Sequence, residues 1–72
     1  MTEAAFLKKL AGRIKELRES KGMSQQELAA KLDYEKSNMS RLESGLINPR
    51  IATLQKVAKA LDVTLPELLT FK

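Results

Sequence analysis

Apolar residues at Phe6, Leu7, Leu10, Ala11, Ile14 and Leu17 return every three or four positions, and Gly22 follows where a left-handed helix cap is expected. The spacing predicts a first helix over about residues 4–20. Ser24 with Glu27 three residues later forms a capping box: the hydroxyl accepts an early backbone N–H and the carboxylate reaches back to the cap. A second helix therefore starts at Gln25, with Leu28, Ala29 and Leu32 inward, and breaks at Asp33, whose short polar side chain tolerates a left-handed turn. A third helix resumes near Glu35, carries Met39 and Leu42 inward, and stops before Gly45. The dipeptide Asn48-Pro49 supplies a turn. Leu54, Val57, Ala58 and Leu61 then mark a fourth helix. Thr64 with Glu67 forms a second capping box, with Pro66 tolerated in the first turn, and opens a short fifth helix carrying Leu65, Leu68, Leu69 and Phe71. No strand alternation, repeat or linker interrupts the pattern. The expected architecture is all-α, a compact five-helix bundle in one domain over residues 1–72.

The third helix, "EKSNMSRLESG", has more polar surface than its packing needs: Lys36, Ser37, Asn38, Ser40 and Arg41 surround only two inward apolar residues. Three or four residues separate it from the second helix, the layout of a helix-turn-helix, here about residues 25–44, whose second helix lies in the DNA major groove. The residue types agree with that layout. Ala29 is small where the two helices approach, Asp33 occupies the turn, and Tyr34, Met39 and Leu42 hold the third helix down.

Composition narrows the chemistry. A chain of 72 residues hides only about 60% of the surface its unfolded form exposes, so its own stability should be modest. The apolar fraction is 43%, with Phe6, Tyr34 and Phe71 the only aromatics, so the core rests on aliphatic side chains and Met. Cysteine and histidine are both absent, which removes disulfides, thiolate metal sites, the usual general base and the commonest metal ligand. The carboxylates show no paired spacing. No catalytic residue, metal site or cofactor is expected. Thirteen Lys and Arg against nine Asp and Glu leave a net charge of +4, which favours a polyanionic partner. No apolar run approaches the roughly 18 residues of a membrane span, and "MTEAAFLKK" lacks the order of a secretory signal. A cytoplasmic, nucleoid-associated protein of bacterial or phage type is expected. The stretch "FLKKLAGRIKELR" alone resembles a membrane-surface helix, but Glu16 and Glu19 dilute its basic face.

The segments "RIKELRESKGMSQQELAAKL", "SNMSRLESG", "NPRIATLQKVAKALDV" and "LPELL" together resemble the helix-turn-helix proteins of the phage Cro/repressor type, the XRE family, over about residues 10 to 69. The resemblance implies a lambda-repressor-like fold and sequence-specific DNA binding by a transcriptional regulator, acting as a two-fold dimer on a palindromic operator. It places Lys36, Ser37, Asn38 and Arg41 at groove-facing positions, and Gln25 where a glutamine contacts a phosphate and buttresses the third helix. Ser44 and Asn48 match positions near phosphate after that helix, and Arg13 and Ser24 join the set of backbone contacts, with Lys21 and Arg50 adding charge. Arg18 and Glu43 align with a largely buried salt bridge. The chemistry of the groove-facing set agrees: Lys or Arg donates to guanine O6 and N7, Asn pairs with adenine, and Ser serves a base or a phosphate. Ser40 either joins that face or faces a neighbouring turn. Two copies about one helical turn apart, roughly 34 Å, would read two half-sites, and the dimer seam is expected at Leu65, Leu68, Leu69 and Phe71.

Four positions depart from the family pattern. Asp33 stands where the turn glycine is usual, and Leu46 and Ile47 replace basic or polar loop residues. Glu35 stands where a Ser or Thr cap is common; it either accepts from cytosine N4 or weakens binding by bringing a negative charge near phosphate. A rival function keeps the fold but makes it a protein-interaction module, such as an antitoxin with secondary DNA binding, although little sequence outside residues 4 to 70 is left to serve as a toxin-binding tail.

Overall fold

Helix ends explain most of the chain path. In the computed structural model, which describes residues 1–71, the elements run α1 (Glu3–Ser20), α2 (Gln25–Lys31), α3 (Lys36–Glu43), α4 (Ile51–Ala60) and α5 (Leu65–Leu68). No strand occurs among the described residues. Each of the first four helices is followed by one left-handed residue: Gly22, Asp33, Gly45 or Asp62, with φ of 66°, 53°, 74° and 58°. At each end the next N–H folds back onto the last turn. Met23 donates to the Arg18 carbonyl, Tyr34 to Ala29, Leu46 to Arg41 and Val63 to Ala58, at 3.1, 2.8, 3.0 and 2.9 Å. The left-handed residue itself donates to the carbonyl three positions back. This double closure satisfies carbonyls that a helix end otherwise leaves without partners.

Glycine and aspartate thus do one job at four turns, but they are not interchangeable at every turn. At Gly45 an added Cβ would meet the Cα of Lys8 at 3.0 Å, so the end of α3 needs glycine for close approach to α1 as well as for its backbone angle. Asp33 adopts the left-handed turn expected of it. Asp62 repeats the device between α4 and α5, where the sequence pattern alone did not single it out.

The helix starts divide into two kinds. Thr2, Ser24 and Thr64 each accept a backbone N–H from the residue three positions on, and the last two complete full capping boxes with Glu27 and Glu67. α1 consequently begins at Glu3, slightly earlier than its apolar spacing predicts. Glu35 and Arg50, which precede α3 and α4, make no such side-chain bond.

All five helices feed one core, in which Ile14, Leu28, Met39, Leu61 and Leu68 have no exposed surface. Burial of each such side chain is worth about 1.5–3 kcal/mol. Leu68 is therefore part of the monomer's own core, a correction to its place in the expected dimer seam: its side chain is consumed in closing α5 onto the other helices. Phe71 lies beyond α5 and packs against Phe6 with ring centroids 5.4 Å apart, tilted by 54°. Among the described residues no helix is long and apolar enough to cross a membrane.

Candidate nucleic-acid interface

α3 is held from beneath by two kinds of contact. Met39 and Leu42 are buried in the core, and Glu43 enters a polar knot shared with α1 and α2. Arg18 Nε donates to Glu43 Oε2 at 2.6 Å, and Arg18 Nη2 to Glu43 Oε1 at 3.0 Å. The third guanidinium nitrogen, Nη1, donates to the Met23 carbonyl at 2.6 Å, just past the end of α1. Gln25 Nε2 adds a bond to Glu43 Oε1 at 3.1 Å. The two charged side chains are only 9% and 2% exposed, so the pairing must replace the water both have lost. Hydrogen bonding to Glu43, opposed by burial, raises the affinity of Arg18 for its proton above the ordinary value. Among the described residues no buried side-chain nitrogen or oxygen lacks a partner, as a buried polar network requires.

This knot carries the expected Arg18–Glu43 pair and gives Gln25 its place. Gln25 is half-buried, with one end of its carboxamide fixed on α3 and its backbone at the first turn of α2. The helix-turn-helix is therefore braced by hydrogen bonds of fixed direction as well as by apolar contact.

The outer side of α3 is polar. Lys36, Ser37, Ser40 and Arg41 are all exposed. In a helix, residues four apart lie one above the other, so Lys36 with Ser40 and Ser37 with Arg41 form two adjacent rows. Of the two readings left open for Ser40, its exposure and its spacing of four from Lys36 favour this face. Asn38 stands at the margin, half-buried beside the inward residues. Glu35 is exposed immediately before the helix.

The expected backbone-contacting residues divide further. Ser24 is exposed, but its hydroxyl already accepts the Glu27 N–H at 3.0 Å. Ser44 is exposed and its hydroxyl donates to the Ser40 carbonyl at 2.8 Å, leaving its oxygen able to accept. Asn48, Lys21 and Arg50 are exposed. Arg13 is used within the fold: its Nε and Nη2 donate to the Glu67 carbonyl at 3.2 and 2.9 Å, and its Nη1 to Glu16 at 2.8 Å. The guanidinium fastens α1 to the end of α5, and the structure does not bring it into the α3 group. No cluster of acidic side chains suited to a metal ion occurs among the described residues.

A short helix pinned on its inner side, exposed on its outer side and joined to its predecessor by a turn at Asp33 defines a helix-turn-helix unit of the kind that presents its second helix to DNA. The chain belongs to the helix-turn-helix family, whose model matches residues 14–68. It is similar to the HTH-type transcriptional regulator SinR of Bacillus subtilis, at 46% identity over 61 residues; the match covers 83% of this chain and 55% of that protein. It is also similar in structure to the restriction-modification controller protein C.AhdI of Aeromonas hydrophila, with a TM-score of 0.86 and 38% identity over 89% of this chain and 97% of the other. The crystal structure of SinR, described as the master regulator for biofilm formation, in complex with DNA matches with a TM-score of 0.77 and 44% identity, over 83% of this chain and 97% of that one.

Proposed function

We propose that this chain is a sequence-specific DNA-binding transcriptional regulator with no chemistry of its own, acting in the cytoplasm by placing α3 in the major groove. The observation that carries the reading is the outer face of α3: four exposed polar residues in two adjacent rows, over an inner face locked by Met39, Leu42 and Glu43. Rigid support of that kind serves recognition, because a base-reading side chain on a fixed backbone need not be ordered on binding. Arg41 offers the bidentate donor suited to guanine, Ser37 and Ser40 offer hydroxyls to either base or phosphate, and Asn38 reaches a base edge from the margin. Lys36, at the start of the helix, serves a base or a phosphate. Gln25, Ser24, Ser44 and Asn48 supply the neighbouring phosphate contacts. The DNA complex of a protein 44% identical to this chain supports the assignment.

The protein works as a two-fold dimer on a palindromic operator, since one short helix covers too few base pairs for high specificity and pairing doubles the charge to about +8. Leu69 and Phe71 remain candidates for the seam. They are joined by Phe6 and Ile51, which are 42% and 62% exposed, and Phe6, Ile51 and Leu69 line one groove of about 310 Å³. Leu65 lies instead beside Gln55 and Lys59 in a separate, more polar hollow.

Selection of bound sites from random duplex DNA tests the reading. The expected result is a palindromic consensus, with affinity that falls steeply as salt rises. Substituting Arg41→Ala should cost about 1–3 kcal/mol and relax the preference at one base pair of each half-site. No consensus, with equal affinity for all duplexes, would contradict it.

A further inference from the structure

Glu35 is the one charged residue at the start of α3 that neither the fold nor phosphate binding explains. It occupies the N-cap with extended backbone angles, φ −71° and ψ 145°, yet its carboxylate caps nothing. It is exposed, and among the described residues it takes part in no side-chain hydrogen bond or ion pair. A serine or threonine there would serve the helix better. For phosphate contact a carboxylate is the wrong charge.

Resting on the proposed function, the position itself limits what this group can do. The N-terminal residues of a recognition helix are the ones that meet base edges, and an ionised carboxylate can only accept hydrogen bonds. Along the major groove, guanine O6 and N7, adenine N7 and thymine O4 are all acceptors and repel it; only the amino groups of cytosine and adenine donate. The adenine amino group lies between two acceptors, its own N7 and the O4 of the paired thymine. The cytosine amino group has an acceptor on one side only, with the C5–H on the other.

We propose that Glu35 is a specificity-determining residue that accepts a hydrogen bond from cytosine N4 at one fixed position of each half-site, and that its charge weakens binding wherever another base stands there. Selectivity at this position comes mainly from rejection: an unpaired carboxylate facing acceptors loses its water and gains nothing. The same charge lowers affinity for unrelated DNA, which raises the ratio of specific to non-specific binding.

Parallel selection from random duplex DNA with the wild-type chain, Glu35→Gln and Glu35→Ser tests this. Glu35→Gln keeps the size and removes the charge; Glu35→Ser supplies a good helix cap, so neither is expected to unfold α3. The wild type should prefer cytosine at one position per half-site by about 5- to 150-fold, the discrimination that one good base contact provides. Both variants should keep the rest of the consensus and bind a scrambled duplex severalfold more tightly at the same salt; Glu35→Ser should lose the cytosine preference to within about two-fold of equal, and Glu35→Gln should shift it toward adenine, with which an amide pairs in two bonds. The inference is overturned if Glu35→Ser still selects the same cytosine, or if the wild type yields a palindrome with no cytosine preference that depends on residue 35. A wild type that yields no consensus at all overturns the DNA-reading role of α3 itself.

Discussion

The two helices of the motif begin in opposite ways. α2 opens with a complete capping box, in which Ser24 accepts the Glu27 N–H and the Ser24 N–H donates to the Glu27 carboxylate, both at 3.0 Å. α3, a few residues later, opens at Glu35 with no side-chain cap. The same contrast separates α1 and α5, capped by Thr2 and Thr64, from α4, which starts at Arg50 without a cap. At their C-terminal ends α1 to α4 are all finished alike, by the same backbone closure. The starts of α3 and α4 lack the local side-chain acceptor, at some cost in intrinsic helix stability.

The contrast can be broken at its strongest point first. α3 tolerates a weak start because Glu43 anchors it from the other end. Glu43→Ala should lower stability by about 3–5 kcal/mol, since Arg18 would keep a buried charge with no partner. Urea denaturation measures this, and a loss under about 1 kcal/mol would show that the knot is not what holds α3. At the starts themselves the two caps should respond with opposite signs. Ser24→Ala should cost about 1 kcal/mol, whereas Glu35→Ser should stabilise by up to about 1 kcal/mol by supplying the missing acceptor. Equal responses in the same denaturation series would mean that the difference between the two starts has no energetic content.

The smallest effect is in acid. Backbone and side-chain hydrogen bonds from Ser24 hold Glu27 below its ordinary value of 4.5, and Thr64 does the same for Glu67. A carboxylate whose proton affinity is lower in the folded state contributes stability that is fully present above the unfolded value and lost as pH falls through the folded one. Stability should therefore decline as pH drops below about 4.5. The decline should be shallower in Glu27→Gln, measured by thermal melts between pH 6 and pH 3.

Much of this was visible in the sequence, and the exceptions have physical reasons. Both capping boxes, the left-handed Asp33, the stop at Gly45 and the inward pair Met39 and Leu42 follow from spacing over three or four residues, where local chemistry decides the outcome. The Thr2 cap escaped notice because Ala5, three residues on, carries no carboxylate to complete a box. The bonds of Arg13 to α5 were not legible because their acceptor is a backbone carbonyl 54 positions away, which no side-chain pattern records. Leu68 shows a different limit: apolar spacing marks a buried face but does not distinguish the chain's own core from a second subunit. Ser40 was legible by the same local rule: its spacing of four from Lys36 puts it on the outer face.

In the proposed function α3 meets DNA along Lys36, Ser37, Ser40 and Arg41, while the α4–α5 turn does not. Backbone amide shifts, followed by NMR as a selected duplex is added, test it most directly. The account predicts the largest changes over residues 36–41 and around Gln25, Ser44 and Asn48, with Asp62 and Val63 unmoved. Changes centred on the α4–α5 turn, with residues 36–41 unaffected, would contradict it.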